Sequence, residues 1–325
     1  MIITQTPLRI SFAGGGTDFE GFYSKDGGCV ISSAIDKYIY VIVKERFDNK
    51  IRVGYSRTEM VDRVDEIEHE LVREAMRKAG IDKGIEIATM ADVPSEGSGL
   101  GSSSTVTVGL LNALYAFKGE FQPAEVLARE ACEIEIDVLG KPIGKQDQYI
   151  VAYGGVKMFS FNPDGSVGVE SVSLDEERRR QLSESLMLFF TGKTRKSSSI
   201  LSEQQENIDA RREILCDMKA QAQQVRRCLE NGNLSKLGRI MNEGWEYKKR
   251  LAGGISNGDI DRMYEAAVKA GAVGGKVAGA GGGGFLFLYC SPGRQEAVRR
   301  SLAGLKELAF RLERDGTKVI LNARR

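Results

Sequence analysis

The residues best suited to chemistry lie in one glycine- and serine-rich stretch, Pro94-Ser95-Glu96-Gly97-Ser98-Gly99-Leu100-Gly101-Ser102-Ser103-Ser104, set between an expected strand and an apolar helix. Glycine permits positive φ and lets the backbone approach a ligand closely. The start of the following helix offers unpaired N–H groups and a partial positive charge, which together make a phosphate cradle. Pro94, Gly97, Gly99, Leu100, Gly101, Ser102, Ser103 and Ser104 are therefore the nucleotide-binding candidates, and the serine hydroxyls could bond phosphate or ligate Mg²⁺. Two rival nucleotide patterns fail. The dinucleotide motif GxGxxG meets Ser102 where its third glycine belongs, and the Walker A mimic at Gly192-Lys193-Thr194 has Met187 in place of its first glycine.

Two further glycine-rich segments flank this one at opposite ends of the chain. In Pro7-Leu8-Arg9-Ile10-Ser11-Phe12-Ala13-Gly14-Gly15-Gly16-Thr17-Asp18 a strand runs into glycines and a carboxylate. Asp18 there either caps its own turn or holds a ligand. The other is Lys276-Val277-Ala278-Gly279-Ala280-Gly281-Gly282-Gly283-Gly284-Phe285, a loop entering a strand. Between them, Glu135 ends an expected helix and Asp147 follows the turn Gly140–Gly144, which can bring the two carboxylates towards one point. Phosphoryl transfer asks for this inventory: positioning, neutralised charge and a carboxylate to take a hydroxyl proton. The run Lys193-Thr194-Arg195-Lys196-Ser197-Ser198-Ser199 reads either as an exposed basic loop or as a subsite for a substrate phosphate, with Arg195 and Lys196 as its cations and Lys145 a second candidate.

The elements that would position these groups follow from residue pattern. Strands are expected at residues 8–13, 29–46, Ile51–Tyr55, Ile85–Val93, Leu186–Phe190, Phe285–Cys290 and Lys318–Asn322. Helices are expected at Asp65–Ala79, ending on Gly80, and at Thr105–Phe117, Pro123–Leu139, Ser202–Glu230, Leu234–Lys249, Asp259–Ala270 and Arg294–Arg314. A composition change near residue 190 suggests two α+β domains, 1–190 and 191–325. The amphipathic stretch 202–230 packs on its own core or presents a face to a second copy, as in a homodimer.

Composition excludes much else. The net charge of +1 gives no electrostatic case for nucleic acid or an anionic membrane, and no apolar run approaches the length of a bilayer span. Five scattered cysteines without a CxxC pair read as free thiols of a cytoplasmic protein. The N-terminal residues lack a signal-peptide pattern. The single histidine, His69, read as an exposed helix residue, excludes a histidine triad or a multi-histidine metal site.

In order and spacing, the three glycine-rich segments resemble the signature motifs of the GHMP kinases. PLRISFAGGGTD, EIEIDVLGKPIGKQDQY and KVAGAGGGGF look most like the heptose 7-phosphate kinases of that superfamily, with similarity also to its fucokinase and galactokinase branches. The resemblance implies an α+β fold: an N-terminal domain like ribosomal protein S5 domain 2, a ferredoxin-like C-terminal domain, and ATP·Mg²⁺ between them. It implies Asp147 as catalytic base beside Arg9, and Ser103 and Glu135 as Mg²⁺ ligands. It also implies that Gly15, Gly16, Thr17, Asp18, Gly281 and Gly282 lie on the side of a small phosphosugar substrate. The segment departs from galactokinase, which carries Gly-Glu-His-Thr-Asp where Gly14–Asp18 stands here, leaving room for a larger sugar. A free-sugar 1-kinase, a mevalonate-branch decarboxylase and a non-catalytic ATP- and sugar-binding regulator are the competing readings.

Overall fold

A computed structural model describes residues 1–94, 97–193 and 197–323. The first half of the chain runs β1 (Ile2–Ala13), α1 (Glu20–Asp26), β2 (Gly28–Glu45), β3 (Ile51–Gly54), β4 (Thr58–Val61), α2 (Glu70–Ala79), β5 (Ile85–Ala91), α3 (Ser102–Lys118), α4 (Ala124–Cys132), α5 (Gln146–Tyr153), β6 (Val156–Phe161) and β7 (Val167–Ser171). The second half runs α6 (Glu176–Glu184), β8 (Leu186–Phe190), α7 (Ser197–Glu206), α8 (Arg212–Glu230), α9 (Leu234–Lys249), α10 (Gly258–Ala270), β9 (Gly274–Val277), β10 (Phe285–Tyr289), α11 (Pro292–Ser301), β11 (Lys306–Glu307) and β12 (Lys318–Asn322).

An eight-stranded sheet has the order β12-β1-β2-β5-β3-β4, with β6 and β7 added alongside β2. Strand β2 makes this fork possible. Its N-terminal part, Gly28–Ser33, pairs with β6, and Ile39–Glu45 pairs with β5, while β1 lies antiparallel along the other edge. The residues Cys29–Ile35 are buried without alternation, as a strand covered on both faces must be; α3, α5 and α8 all pack on β2. Helix α3 is apolar and buried on nearly every side, the sign of a central helix rather than a surface one. The second sheet is antiparallel, order β11-β8-β10-β9, and carries its own apolar core around Trp245, Phe189 and Leu286.

Several expected elements differ from the sequence reading. The helix expected at Pro123–Leu139 is α-helical only to Cys132, then widens into a π-turn over Glu133–Val138. The stretch 202–230 is two helices, α7 and α8, and the helix expected to run to Arg314 stops at Ser301. Beyond Ser301, Lys306 and Glu307 pair with Phe190 and Phe189, and Leu312 bridges to Ile35, so sheet pairing overrides local helix preference. His69 is the N-cap of α2 rather than a helix residue: its Nδ1 accepts from the Val72 N–H at 3.4 Å. Half-buried against the Tyr55 ring edge, it has its pKa lowered by burial. Two strands cross the division drawn at residue 190: β8 pairs in the second sheet, and β12 returns to β1.

Candidate active site

All three glycine-rich segments meet in one cavity of about 740 Å³. The meeting is backbone against backbone. Gly99 holds φ +74°, and a Cβ there would lie 2.6 Å from the Ala278 carbonyl oxygen; one on Gly279 would lie 2.6 Å from the Gly99 Cα. No other residue type fits such an approach. The second glycine-rich loop ends in Gly101, the N-cap of α3, so Ser102, Ser103 and Ser104 form the helix's first turn, and all three line the cavity.

Arg9, on β1, is buried and reaches across the cavity floor. Its Nε and Nη2 donate to Asp147 Oδ1 and Oδ2, both at 2.6 Å, and Nη1 donates to the Gly99 carbonyl at 2.6 Å. This bidentate fork fixes both side chains without rotational slack. Asp147 sits in the first turn of α5 and keeps partial exposure to the cavity.

Asp18 lies opposite, nearly fully buried. The N–H groups of Gly16 (2.9 Å) and Gln146 (3.2 Å) donate to it, as does the Gln146 side-chain amide at 3.1–3.2 Å. Burial pushes its pKa up, against the pull of those backbone donors. Gly144 is required beside it, because a Cβ there would stand 2.0 Å from Asp18 Oδ2.

Glu135 has no exposure at all, and the π-turn is what directs it inward. It accepts from Ser103 Oγ and, at 2.8 Å, from the Gln148 amide. Lys141 Nζ lies 3.9 Å from its Oε1 and 3.3 Å from Ser103 Oγ, and is itself paired with Glu70 at 3.0 Å. Burial raises the Glu135 pKa, with Lys141 the strongest opposing influence. A buried carboxylate joined to a hydroxyl at a helix N-terminus is a hard oxygen pair suited to Mg²⁺. Among the described residues no cluster of three or more His, Cys, Asp or Glu side chains forms a metal site alone, so remaining ligands would come from phosphates and water.

The same cavity holds two lysines that sequence reasoning did not single out. Lys276 Nζ donates to the Phe12 carbonyl at 3.3 Å, and Lys248 Nζ to the carbonyls of Val277 (3.0 Å) and Gly279 (2.5 Å). Both are buried, and among the described residues neither has a carboxylate partner. Burial, then the neighbouring Arg9 charge, brings Lys276 from 10.5 down to about 7; burial, Lys276 and Arg9 push Lys248 well down as well. A buried cation without a counter-ion is costly, and an arriving anion removes that cost. Lys276 opens the third glycine-rich segment, so its place was legible. Lys248 is one helical turn beyond Gly244 on α9 and carries no such signal.

Of the residues expected at the site, Arg9, Gly15, Gly16, Asp18, Gly97, Gly99, Gly101, Ser102, Ser103, Ser104, Asp147 and Gly281 line the cavity. Glu135 lies behind Ser103 rather than on the surface. Pro94 is exposed and away from the cavity, and Leu100 is in the core, although its carbonyl accepts the Arg9 N–H at 3.0 Å. The buried Thr17 hydroxyl lies 2.8 Å from the Gly14 carbonyl and accepts from the Cys29 N–H at 3.0 Å, which braces the loop. The Gly282 N–H donates to Ile255. Lys145 turns away, over the Tyr23 ring at 4.7 Å. Arg195 and Lys196 lie outside the described residues.

Residues 53–155 match the GHMP kinases N terminal domain, and residues 225–306 match the GHMP kinases C terminal domain. The chain is 30% identical to D-glycero-alpha-D-manno-heptose 7-phosphate kinase of Campylobacter jejuni, over 96% of this chain and 97% of that one. It is 26% identical to an L-fucokinase/L-fucose-1-P guanylyltransferase of Bacteroides fragilis over 91% of this chain, though only 35% of that longer protein. A crystal structure of a D-glycero-D-manno-heptose 1-phosphate kinase from Bacteroides thetaiotaomicron superposes with a TM-score of 0.83 at 27% identity, covering 100% of both chains.

Proposed function

Because the chain belongs to the GHMP kinase family and is an ATP-dependent sugar kinase, we propose that its acceptor is D-glycero-α-D-manno-heptose 7-phosphate. The γ-phosphoryl group would pass to the anomeric hydroxyl, giving the 1,7-bisphosphate. The observation that carries this reading is the Arg9–Asp147 fork at the point where the three glycine-rich segments converge.

In this reading the N–H groups of Ser102–Ser104 and the loop Gly97–Gly101 hold the ATP phosphates. Asp147 accepts the anomeric proton as its oxygen attacks phosphorus; the P–O bond to ADP breaks, and ADP leaves with that electron pair. Arg9 aims the Asp147 carboxylate, while Lys248 and Lys276, whose protonation burial opposes, face the cavity where an arriving phosphate would favour their charged form. Asp18 and the Gln146 amide hold acceptor hydroxyls. Ser103 and Glu135 would hold Mg²⁺, which when bound neutralises phosphate charge. The names of the two heptose kinases above support a phosphorylated acceptor over a free sugar.

The test is ADP release with ATP·Mg²⁺ against heptose 7-phosphate, mannose 6-phosphate, fucose, galactose and mevalonate. Turnover selective for heptose 7-phosphate, with phosphorus NMR placing the new phosphate on the anomeric carbon, supports the proposal. Turnover only on a free sugar, or a product phosphorylated elsewhere, refutes it.

A further inference from the structure

Glu135 is fully buried and does not line the cavity, although Ser103, whose hydroxyl donates to it, is exposed there. A cation held by nucleotide phosphates in the cavity therefore meets the Ser103 oxygen directly, and meets the carboxylate only if the group in front of it moves. Lys141 is that group. It lines the cavity, and its Nζ lies 3.3 Å from Ser103 Oγ and 3.9 Å from Glu135 Oε1.

The backbone seats it there. The chain leaves the π-turn through Gly140, which holds φ +62°. The Lys141 N–H then donates to the Glu135 carbonyl at 2.9 Å, and the Ile143 N–H donates to the Lys141 carbonyl at 2.8 Å. The turn is thus folded back on the residue whose carboxylate the ammonium faces. The same ammonium has a second partner within reach. Its Nζ is 3.0 Å from Glu70 Oε1, in the first turn of α2, and Glu70 is half exposed and lines the cavity too. Among the described residues Glu70 and Glu135 have no other cationic partner, so two carboxylates share one lysine. A compact charge on a flexible four-carbon stem passes from one to the other by side-chain rotation alone. A divalent cation at Ser103 and Glu135 supplies more charge than the ammonium it replaces, in a setting of oxygen ligands that suits Mg²⁺. The ammonium is then left to Glu70.

We propose that Lys141 is a positioning residue for the metal site: its ammonium stands in for the cation at the Ser103–Glu135 pair while nucleotide is absent and passes to Glu70 when ATP·Mg²⁺ binds. Lys141 and Glu70 together then set how strongly nucleotide binding depends on Mg²⁺. This rests on the reading of Ser103 and Glu135 as Mg²⁺ ligands, and on no choice of sugar. Lys141 acts through Glu135, and the proton and phosphoryl steps do not pass through it.

The experiment is calorimetric titration of the whole protein with AMP-PNP at pH 8, once with saturating Mg²⁺ and once with EDTA. The quantity read is the ratio of the two dissociation constants, metal-free over metal-bound. Lys141→Met should raise that ratio about 10-fold, the scale of one charged hydrogen bond that the metal no longer has to displace. Lys141→Gln should move it the same way, and serves if the methionine variant does not fold. Glu70→Gln removes the second partner, leaves the ammonium on Glu135, and should lower the ratio about 2- to 5-fold, the scale of a partly exposed ion pair. A lysine that only pins the turn would shift both constants together and leave the ratio unchanged. Glu135→Gln separates the two readings. If it lowers the ratio while both Lys141 changes leave it unmoved or lower it, or while Glu70→Gln raises it, the role of Lys141 is overturned and Glu135 stands as a metal ligand. If Glu135→Gln leaves the ratio unmoved, the ligand reading is overturned and this proposal with it.

Discussion

Replacing Lys276 by methionine should make the ligand-free protein more stable, and by an amount that depends on pH. Burial and the Arg9 charge bring this lysine from 10.5 to about 7. Each pH unit of displacement is worth about 1.4 kcal/mol, so a protonated Lys276 burdens the folded state by about 5 kcal/mol. The sign follows from proton counting. Between about pH 7 and 10.5 the unfolded lysine holds its proton and the folded one does not, so folding stability rises with pH across that window. Below about 7 both are protonated and the full burden remains. Methionine carries no such burden but loses the bond to the Phe12 carbonyl, worth about 1 kcal/mol. Residual packing differences leave an expected gain of about 2–4 kcal/mol at pH 6, shrinking towards zero near pH 10. Urea denaturation of both proteins at pH 6, 7.5 and 9 measures it. The same variant should lose proton uptake on AMP-PNP·Mg²⁺ binding at pH 7.5, read by calorimetry in buffers of different ionisation enthalpy. A variant no more stable than wild type at pH 6, or a difference constant with pH, would refute the claim that Lys276 is a buried charge awaiting an anion.

Asp147→Asn should lower kcat by at least ~100-fold, the usual scale for a lost general base, with AMP-PNP affinity largely kept; near-normal turnover would remove proton transfer from its role. Glu135→Gln should leave the fold intact, since burial already disfavours the ionised carboxyl, yet raise the Mg²⁺ concentration for half-maximal activity about 10-fold. Calorimetric titration of AMP-PNP with and without Mg²⁺ reads the same effect in the absence of turnover, and an unchanged Mg²⁺ requirement would exclude Glu135 as a ligand.

The candidate site was legible in the sequence where chemistry depends on local backbone. Gly97–Ser104 had to be a tight turn into a helix because only glycine allows such a path, and the helix start follows from the apolar run after it. Arg9, Asp18 and Asp147 were legible through their motifs, although which atoms meet was not. Their pairing depends on β1 and α5 being brought together from positions far apart in the chain. Glu135 illustrates the boundary. Its sequence neighbourhood reads as an ordinary helix end, whereas in the folded chain that end widens into a π-turn in which the carboxylate is buried. The helix expected at 294–314 failed for a related reason, because residues 306–312 gain more from pairing with β8 and β2 than from continuing a helix.

By itself, then, the sequence determined the glycine turns, the near-neutral composition, the order of strands and helices, and the carboxylates that became candidates for proton transfer, all properties of short segments. Tertiary structure alone decided the rest: the Arg9–Asp147 fork, and the burial of Lys248 and Lys276 with no carboxylate partner among the described residues. The physical reason is that desolvation and hydrogen-bond satisfaction are properties of surroundings. A glutamine or lysine in a helix reads the same whether its face meets water or a closed cavity, and only the packing of the second half of the chain against β1 settles which.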